Sequence, residues 1–167
     1  MANFVFSIPV YASDNIELAG DIIQIIIPVT AGGMALYKDD QEGVIQFSKS
    51  FLTTLGVTYA LKYSIDAERP NGGSHSFPSG HTSAAFSGAS FLQKRYGWDY
   101  GIPAYIAASF VGYSRIESDN HYLQDVLAGA AIGVVSTYIF TDAYQKGIVV
   151  TPFVGGGTYG ILLSATF

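Results

Sequence analysis

Apolar residues dominate the stretch from Leu18 to Tyr37. They recur at helical spacing as Val44, Phe47, Phe51, Leu55 and Tyr59, and return in Ser83 to Tyr96, Ile102 to Tyr113 and Tyr122 to Tyr144. This pattern predicts a mainly α protein, a compact bundle of five to six helices. Pro28 is expected to kink or interrupt the first of them, because proline lacks the N–H that a helix interior needs. Lys38-Asp39-Asp40-Gln41-Glu42-Gly43 reads as a polar turn, and Pro70-Asn71-Gly72-Gly73-Ser74 as a flexible loop. Near the end the period changes. Val149 to Val154 and Tyr159 to Phe167 flank Gly155-Gly156-Gly157-Thr158, which predicts a short C-terminal β-hairpin. One hairpin cannot close a barrel, so it is expected to pack on the helices or on a second subunit.

With 167 residues and no internal repeat, linker or charge run, the chain reads as one domain: a helical part over 13–147 and a hairpin over 148–167. The net charge of −5, with only 8 Lys and Arg, argues against a nucleic-acid partner, whose phosphates demand a basic patch. The absence of cysteine excludes disulfides and thiolate metal sites. Membrane crossing is not decided by composition. The longest charge-free helical runs, Ile22 to Tyr37 and Val126 to Thr141, fall short of the ~20 residues a bilayer requires, as does Gly101 to Ser114. None reads as a convincing span, and a compact helical domain with an apolar, bilayer-touching surface is expected at least as readily as a polytopic one. Ala84, Ala85, Gly88, Ala89, Gly129, Ala130 and Gly133 suit close helix packing. Residues 1–12 resemble the end of a secretory signal, with Val10 and Ala12 as small residues before a cut at Ser13. The positively charged start of such a signal is missing, and an apolar N-terminal arm is the other reading.

Three short segments carry the candidate chemistry: Lys62 through Arg69-Pro70, Pro78-Ser79-Gly80-His81, and Ser114-Arg115 through His121 to Asp125. Singly, such fragments are surface charges and turns. Together and in order they read as a phosphate-handling site. If a helix follows Asn120, His121 and Asp125 share one face, where the carboxylate accepts the Nδ1 proton and leaves Nε2 free as a nucleophile or base. Asn120 or Asp119 would cap that helix. Ser79 and Gly80 open a second helix start, where unpaired amides and the macrodipole favour an anion. Arg69 and Arg115 can bind phosphoryl oxygens in bidentate fashion, with Lys62 as a flexible point charge. Asp66 and Glu68 read as solvated loop charges or salt-bridge partners rather than metal ligands, and His75 as a partly exposed loop histidine without a catalytic part.

These motifs resemble the signature of the type 2 phosphatidic acid phosphatase and vanadium haloperoxidase superfamily, over roughly residues 45 to 143. Tyr122-Leu123-Gln124-Asp125-Val126-Leu127-Ala128-Gly129 is similar to a run in its bacterial lipid phosphatases. Ser118-Asp119 stands where the soluble class A acid phosphatases carry Cys-Gly. The resemblance implies that His81 protonates the leaving alkoxide and that His121 attacks phosphorus to form a phosphohistidine, with Asp125 orienting His121. It implies phosphate contacts from Lys62, Arg69, Ser79, Gly80 and Arg115, no cofactor, and vanadate as an inhibitory mimic. The expected substrate is a phosphorylated lipid, as a monoester or a terminal diphosphate, met at the membrane surface of a bacterial cell envelope with the site facing the periplasm. The alternatives are a non-specific periplasmic acid phosphatase acting on soluble esters, a vanadium haloperoxidase, for which the chain is short, and a non-catalytic phospholipid-binding protein.

Overall fold

The computed structural model describes residues 11–144, 147–156 and 158–166. Among these residues the order is α1 (Tyr11–Tyr37), α2 (Gln41–Ser64), α3 (Gly80–Tyr96), α4 (Trp98–Glu117), α5 (Leu123–Phe140), β1 (Gly147–Gly155) and β2 (Thr158–Thr166). The expected helical bundle with a C-terminal hairpin is present, with five helices. The signal-like reading falls mostly on residues outside the described ones. The described chain begins inside α1, seven residues ahead of the expected Leu18.

Pro28 does not interrupt α1, which runs from Tyr11 to Tyr37. A β-carbon at Gly88 of α3 would lie 2.9 Å from the Pro28 backbone, so a glycine lets α3 pass close to α1 at the proline. α2 is capped by Asp40, whose carboxylate accepts from the Gly43 amide at 2.9 Å. α3 is capped by Ser79 and α5 by Tyr122. α5 stops at Phe140 rather than continuing to Tyr144. β1 and β2 pair antiparallel, with Val154 opposite Tyr159. The expected packing of this hairpin on the helices is not seen among the described residues.

α3 occupies the centre and touches each of the other four helices. Its sides are accordingly small: Ser83, Ala85, Ser87, Ala89 and Ser90 are fully buried. Along one side, Thr58 bonds to Ser83 at 3.0 Å and Thr54 to Ser87 at 3.3 Å, tying α2 to α3 through hydroxyls. On another side, Ile27, Ala31 and Ala35 of α1 and Ala104, Ala108 and Val111 of α4 complete an apolar core around Phe91 and Leu92. At Gly129 a β-carbon would lie 2.5 Å from the Ser79 carbonyl oxygen, so only glycine lets α5 approach the capping turn of α3 this closely.

The outward faces are apolar. Leu18, Ile22, Ile25, Ile26, Val29 and Leu36 of α1, and Leu123, Leu127, Val135 and Ile139 of α5, are exposed. Two helices, Asp14–Tyr37 and Leu123–Phe140, are long and apolar enough to cross a membrane, each with a mean hydropathy of 1.5. Both are longer than the charge-free runs counted in the sequence. Counting uninterrupted charge-free residues discards helix whose few charges lie in its first turns, and those turns lengthen both helices.

At the end of the bundle remote from Ser79, Arg95 of α3 donates from Nε to Asp40 Oδ2 at 2.8 Å and from Nη1 to the Asp142 carbonyl at 3.0 Å. Tyr96 donates to the same Asp40 oxygen at 2.9 Å. Both charged side chains of this pair are buried, 7% and 3% exposed. Removing one partner leaves the other as an uncompensated buried charge. Asp40→Ala or Arg95→Ala is therefore expected to destabilise the protein by roughly 3–5 kcal/mol, read as a lowered thermal midpoint in detergent. A midpoint unchanged from wild type would contradict this role.

Candidate active site

The directions of the helices decide where the chemistry gathers. α2 and α4 end, and α1, α3 and α5 begin, at one end of the bundle, bringing Lys62, Arg115, His81 and the segment around His121 together. Arg69, His81, Arg115, Asn120 and His121 line a cavity of about 160 Å³ there, joined by Glu17 and Asp21 of α1. That volume is well below the ~300–1,000 Å³ of pockets that enclose a drug-sized ligand, so it suits a headgroup rather than a whole lipid.

His121 is not in the first turn of a helix, as the sequence suggested. It lies in the connection between α4 and α5, whose amides at Asn120 and His121 both donate to the Arg115 carbonyl at 3.0 Å. Asp119 has φ 53°, so it does not cap a helix either. Asp125 is in the first turn of α5 and accepts from the Tyr122 amide at 3.0 Å. Consequently His121 Nδ1 is 3.6 Å from Asp125 Oδ2, beyond a good hydrogen bond. Ser76 stands between them: its Oγ is 2.5 Å from Asp125 Oδ2 and 3.3 Å from His121 Nδ1. A hydroxyl has a single proton, and a carboxylate can only accept. Ser76 therefore donates to Asp125, and its oxygen accepts from Nδ1–H of His121. The Nε2 lone pair is left to the cavity. Ser76 is fully buried, and sequence reasoning missed it. The signal available was a hydroxyl residue just ahead of the Pro78-Ser79-Gly80-His81 turn, which carries no meaning until the fold places it.

The remaining expected ligands divide into two sets. Arg69 lines the cavity with its Nε bonded to the Ser74 carbonyl at 3.1 Å. Lys62 is buried at the end of α2, and its ammonium donates to the His75 carbonyl at 2.6 Å. Ser79 is buried as the cap of α3, where its Oγ accepts from Thr82 Oγ1 at 3.0 Å, and Gly80 opens the helix beside it. The Ser79 amide donates to the Asp125 carbonyl at 3.0 Å, which links the second segment to the third. The His75 ring turns away, its Nδ1 3.0 Å from Asp66 and its edge on Tyr63. Asp21 and Glu17 were not anticipated. Asp21 Oδ1 is 3.1 Å from His81 Nε2 and 2.8 Å from Arg115 Nη1, while Glu17 Oε1 accepts from Asn120 at 2.7 Å. Gly20 permits this approach, because a side chain there would collide with Ser114 and Arg115.

The PAP2 superfamily profile matches residues 43–148. The chain belongs to the PAP2 superfamily. It is 29% identical over 164 residues to a lipid A 4′-phosphatase of Helicobacter pylori, covering 87% of this chain and 82% of that one. It is 44% identical over 100 residues to a lipid A 1-phosphatase of Porphyromonas gingivalis, where the match takes in 52% of this chain and 22% of the relative. Among solved structures it is similar to a transmembrane PAP2-type phosphatidylglycerolphosphate phosphatase from Bacillus subtilis. That match has a TM-score of 0.64 and 25% identity, with 80% of this chain and 76% of that chain covered. The chain is a phosphomonoester hydrolase of the PAP2 type, with the mainly α architecture of that family. Among the described residues no group of three or more His, Asp or Glu is placed to hold a metal ion.

Electrostatics set the resting state of the two histidines. Burial, followed by the charges of Lys62 and Arg69, pushes His121 down to about 4, with Asp125 opposing. Burial and Arg115 also hold His81 below the ordinary imidazole value, against Asp21. The His121 ring is therefore neutral through the physiological range. An NMR titration, assigned by the loss of one signal in His121→Ala, is expected to place its midpoint near 4. Arg69→Ala removes a nearby cation and should move that midpoint upward. A midpoint at or above the usual value of about 6.5 would contradict the arrangement.

Proposed function

We propose that this protein hydrolyses the phosphate monoester, or the terminal phosphate of a diphosphate, of a lipid-like substrate through a phosphohistidine on His121. The observation that carries this reading is the convergence of His81, His121, Arg69 and Arg115 on one small cavity at the end of a bundle whose outer surface is apolar. A headgroup-sized site open at the end of such a bundle admits the phosphate while the tail stays with the apolar exterior. The named relatives act on lipid A and phosphatidylglycerolphosphate, which supports a lipid class without choosing among its members.

In the proposed reaction the His121 Nε2 lone pair attacks phosphorus. The bond to the ester oxygen breaks, and that oxygen takes the proton of His81 Nε2. Water, giving a proton to the now neutral His81, then attacks phosphorus; the phosphorus–nitrogen bond breaks, its electron pair returns to His121 Nε2, and inorganic phosphate is released. Arg69, Arg115 and the α3 start, with Lys62 behind them, neutralise the equatorial oxygens as charge develops. Asp125, acting through Ser76, stabilises the positive charge that His121 acquires. Bound phosphate supplies the negative charge that raises His81 toward its acid form. The reaction needs no metal ion. The site is proposed to face the periplasmic side of a bacterial membrane that α1 and α5 cross.

Six outcomes test this. His121→Ala is expected to abolish phosphate release, and wild type to yield an acid-labile phosphoenzyme. Ordinary turnover in that variant would remove His121 as nucleophile. Activity should survive chelators and be inhibited by vanadate, which mimics pentacoordinate phosphorus.

His81→Ala should be severely impaired on alkyl phosphates and much less on activated aryl phosphates, whose leaving groups need little protonation. Equal losses on both would exclude the acid role. Across lipid phosphates in detergent, kcat/KM should rise with tail length and exceed that of a small sugar phosphate by at least about tenfold, equivalent to ~1.4 kcal/mol. Equal rates on the two classes would favour a non-specific acid phosphatase.

A further inference from the structure

Arg115 and His81 are already occupied. The Arg115 guanidinium is 2% exposed and donates from Nη1 to Asp21 Oδ1 at 2.8 Å, from Nη2 to the Glu17 carbonyl at 2.7 Å and from Nε to Ser114 Oγ at 3.1 Å. The same Asp21 oxygen is 3.1 Å from His81 Nε2, the nitrogen that must hand a proton to the departing oxygen. One carboxylate oxygen thus stands where a phosphoryl oxygen and a leaving-group oxygen would make their contacts. An ionised carboxylate and a phosphate dianion repel each other strongly at this range and cannot share these donors. The Asp21 side chain is 42% exposed, so it has open space into which to withdraw.

We propose that Asp21 is an internal competitor for the phosphoryl group, and that it makes the site selective for phosphates carrying an apolar tail. This inference rests on the phosphatase reading above. A headgroup alone must displace the carboxylate with its charge contacts, whereas a tail seated against α1 itself loosens Asp21 from Arg115, so the cost of displacement falls only for tailed phosphates. The place for that tail is on the same helix. An apolar groove of about 460 Å³, lined by Ile25, Pro28 and Val29 of α1, Phe47 and Phe51 of α2 and Ala84 of α3, begins one helical turn beyond Asp21 and His81. Seating a tail against α1 and releasing Asp21 from Arg115 therefore act on one element. The apparent affinity for a bare phosphate is lowered by the fraction of molecules in which Asp21 remains in place.

The test uses the full chain in detergent, with inorganic phosphate as the probe, titrated by calorimetry into wild type and Asp21→Asn. Asparagine keeps the shape of the side chain and removes its charge. Asp21→Asn is expected to bind phosphate at least about tenfold more tightly, ~1.4 kcal/mol, and to lose much of the preference in kcat/KM for a long-tailed over a short soluble phosphate ester. Unchanged or weaker phosphate binding would overturn the proposal. So would a uniform fall in kcat with affinity unchanged, which would make Asp21 a positioning residue for His81.

Glu17→Gln serves as the control, because its carboxylate is 3.8 Å from Arg115 and bonds to Asn120 instead. Its gain should be clearly smaller, and an equal gain would reduce the effect to general charge and overturn the role of Asp21. A wild type that neither binds phosphate nor releases it from any ester removes the phosphatase reading itself. Measurable and equal binding by wild type and Asp21→Asn removes only the competitor.

Discussion

A helix surrounded by four others has little room for large residues along most of its length, and α3 is such a helix. Its buried positions are serines, alanines, a glycine and a threonine for most of its length, and the neighbouring backbones come close because of it. One of the two closest approaches of α5 to the α3 backbone is at Gly129, against the Ser79 carbonyl. That contact fixes the first turn of α5 relative to the first turn of α3, and with it Asp125 relative to His81. A larger side chain at Gly129 would separate the two helix starts and open the site without touching a charged residue.

The polarity of the bundle follows from the same crowding. Short hydroxyl side chains fill the narrow spaces around α3 and bond across them, from Thr58–Ser83 near the site through Thr54–Ser87 and Ser87–Thr137 farther along. Larger apolar side chains are sent outward on α1 and α5. In water this distribution would expose a large apolar surface. Against lipid it costs nothing, and the interior hydroxyls supply the directional contacts that hydrophobic burial cannot provide between lipid-facing helices. The Asp40–Arg95 pair closes the far end, tying the start of α2 to the end of α3 and to the segment after α5.

The elements and the three motifs were legible in the sequence because both are local: helical spacing, capping turns and motif order survive without tertiary information. The N-cap role of Ser79 is a case in point. What sequence reasoning missed depends on contacts between distant segments. Ser76 acts on residues 45 and 49 positions away, and Asp21 meets Arg115 across 94 positions. No spacing rule links a first-helix carboxylate to a motif so far along the chain. His121 and Asp125 misled for a different reason. Their spacing fits one turn of helix, but a helix that begins after Tyr122 leaves His121 outside it.

That displacement has a chemical consequence for the pair. On one helical face, the ring and carboxylate would meet directly and His121 would follow any movement of α5. With Ser76 between them, the His121 ring is held by the loop that leads into α3, while Asp125 is held by the Tyr122 amide. The tautomer is the same in both arrangements, because the Ser76 proton is committed to the carboxylate. What differs is the distance over which Asp125 acts on the ring, 3.6 Å without a direct hydrogen bond. The attraction of Asp125 is then outweighed by burial and by the cations Lys62 and Arg69, which is why the ring stays neutral with its Nε2 lone pair available. The seryl bridge thus lets one carboxylate fix the orientation of His121 without holding it in the protonated form.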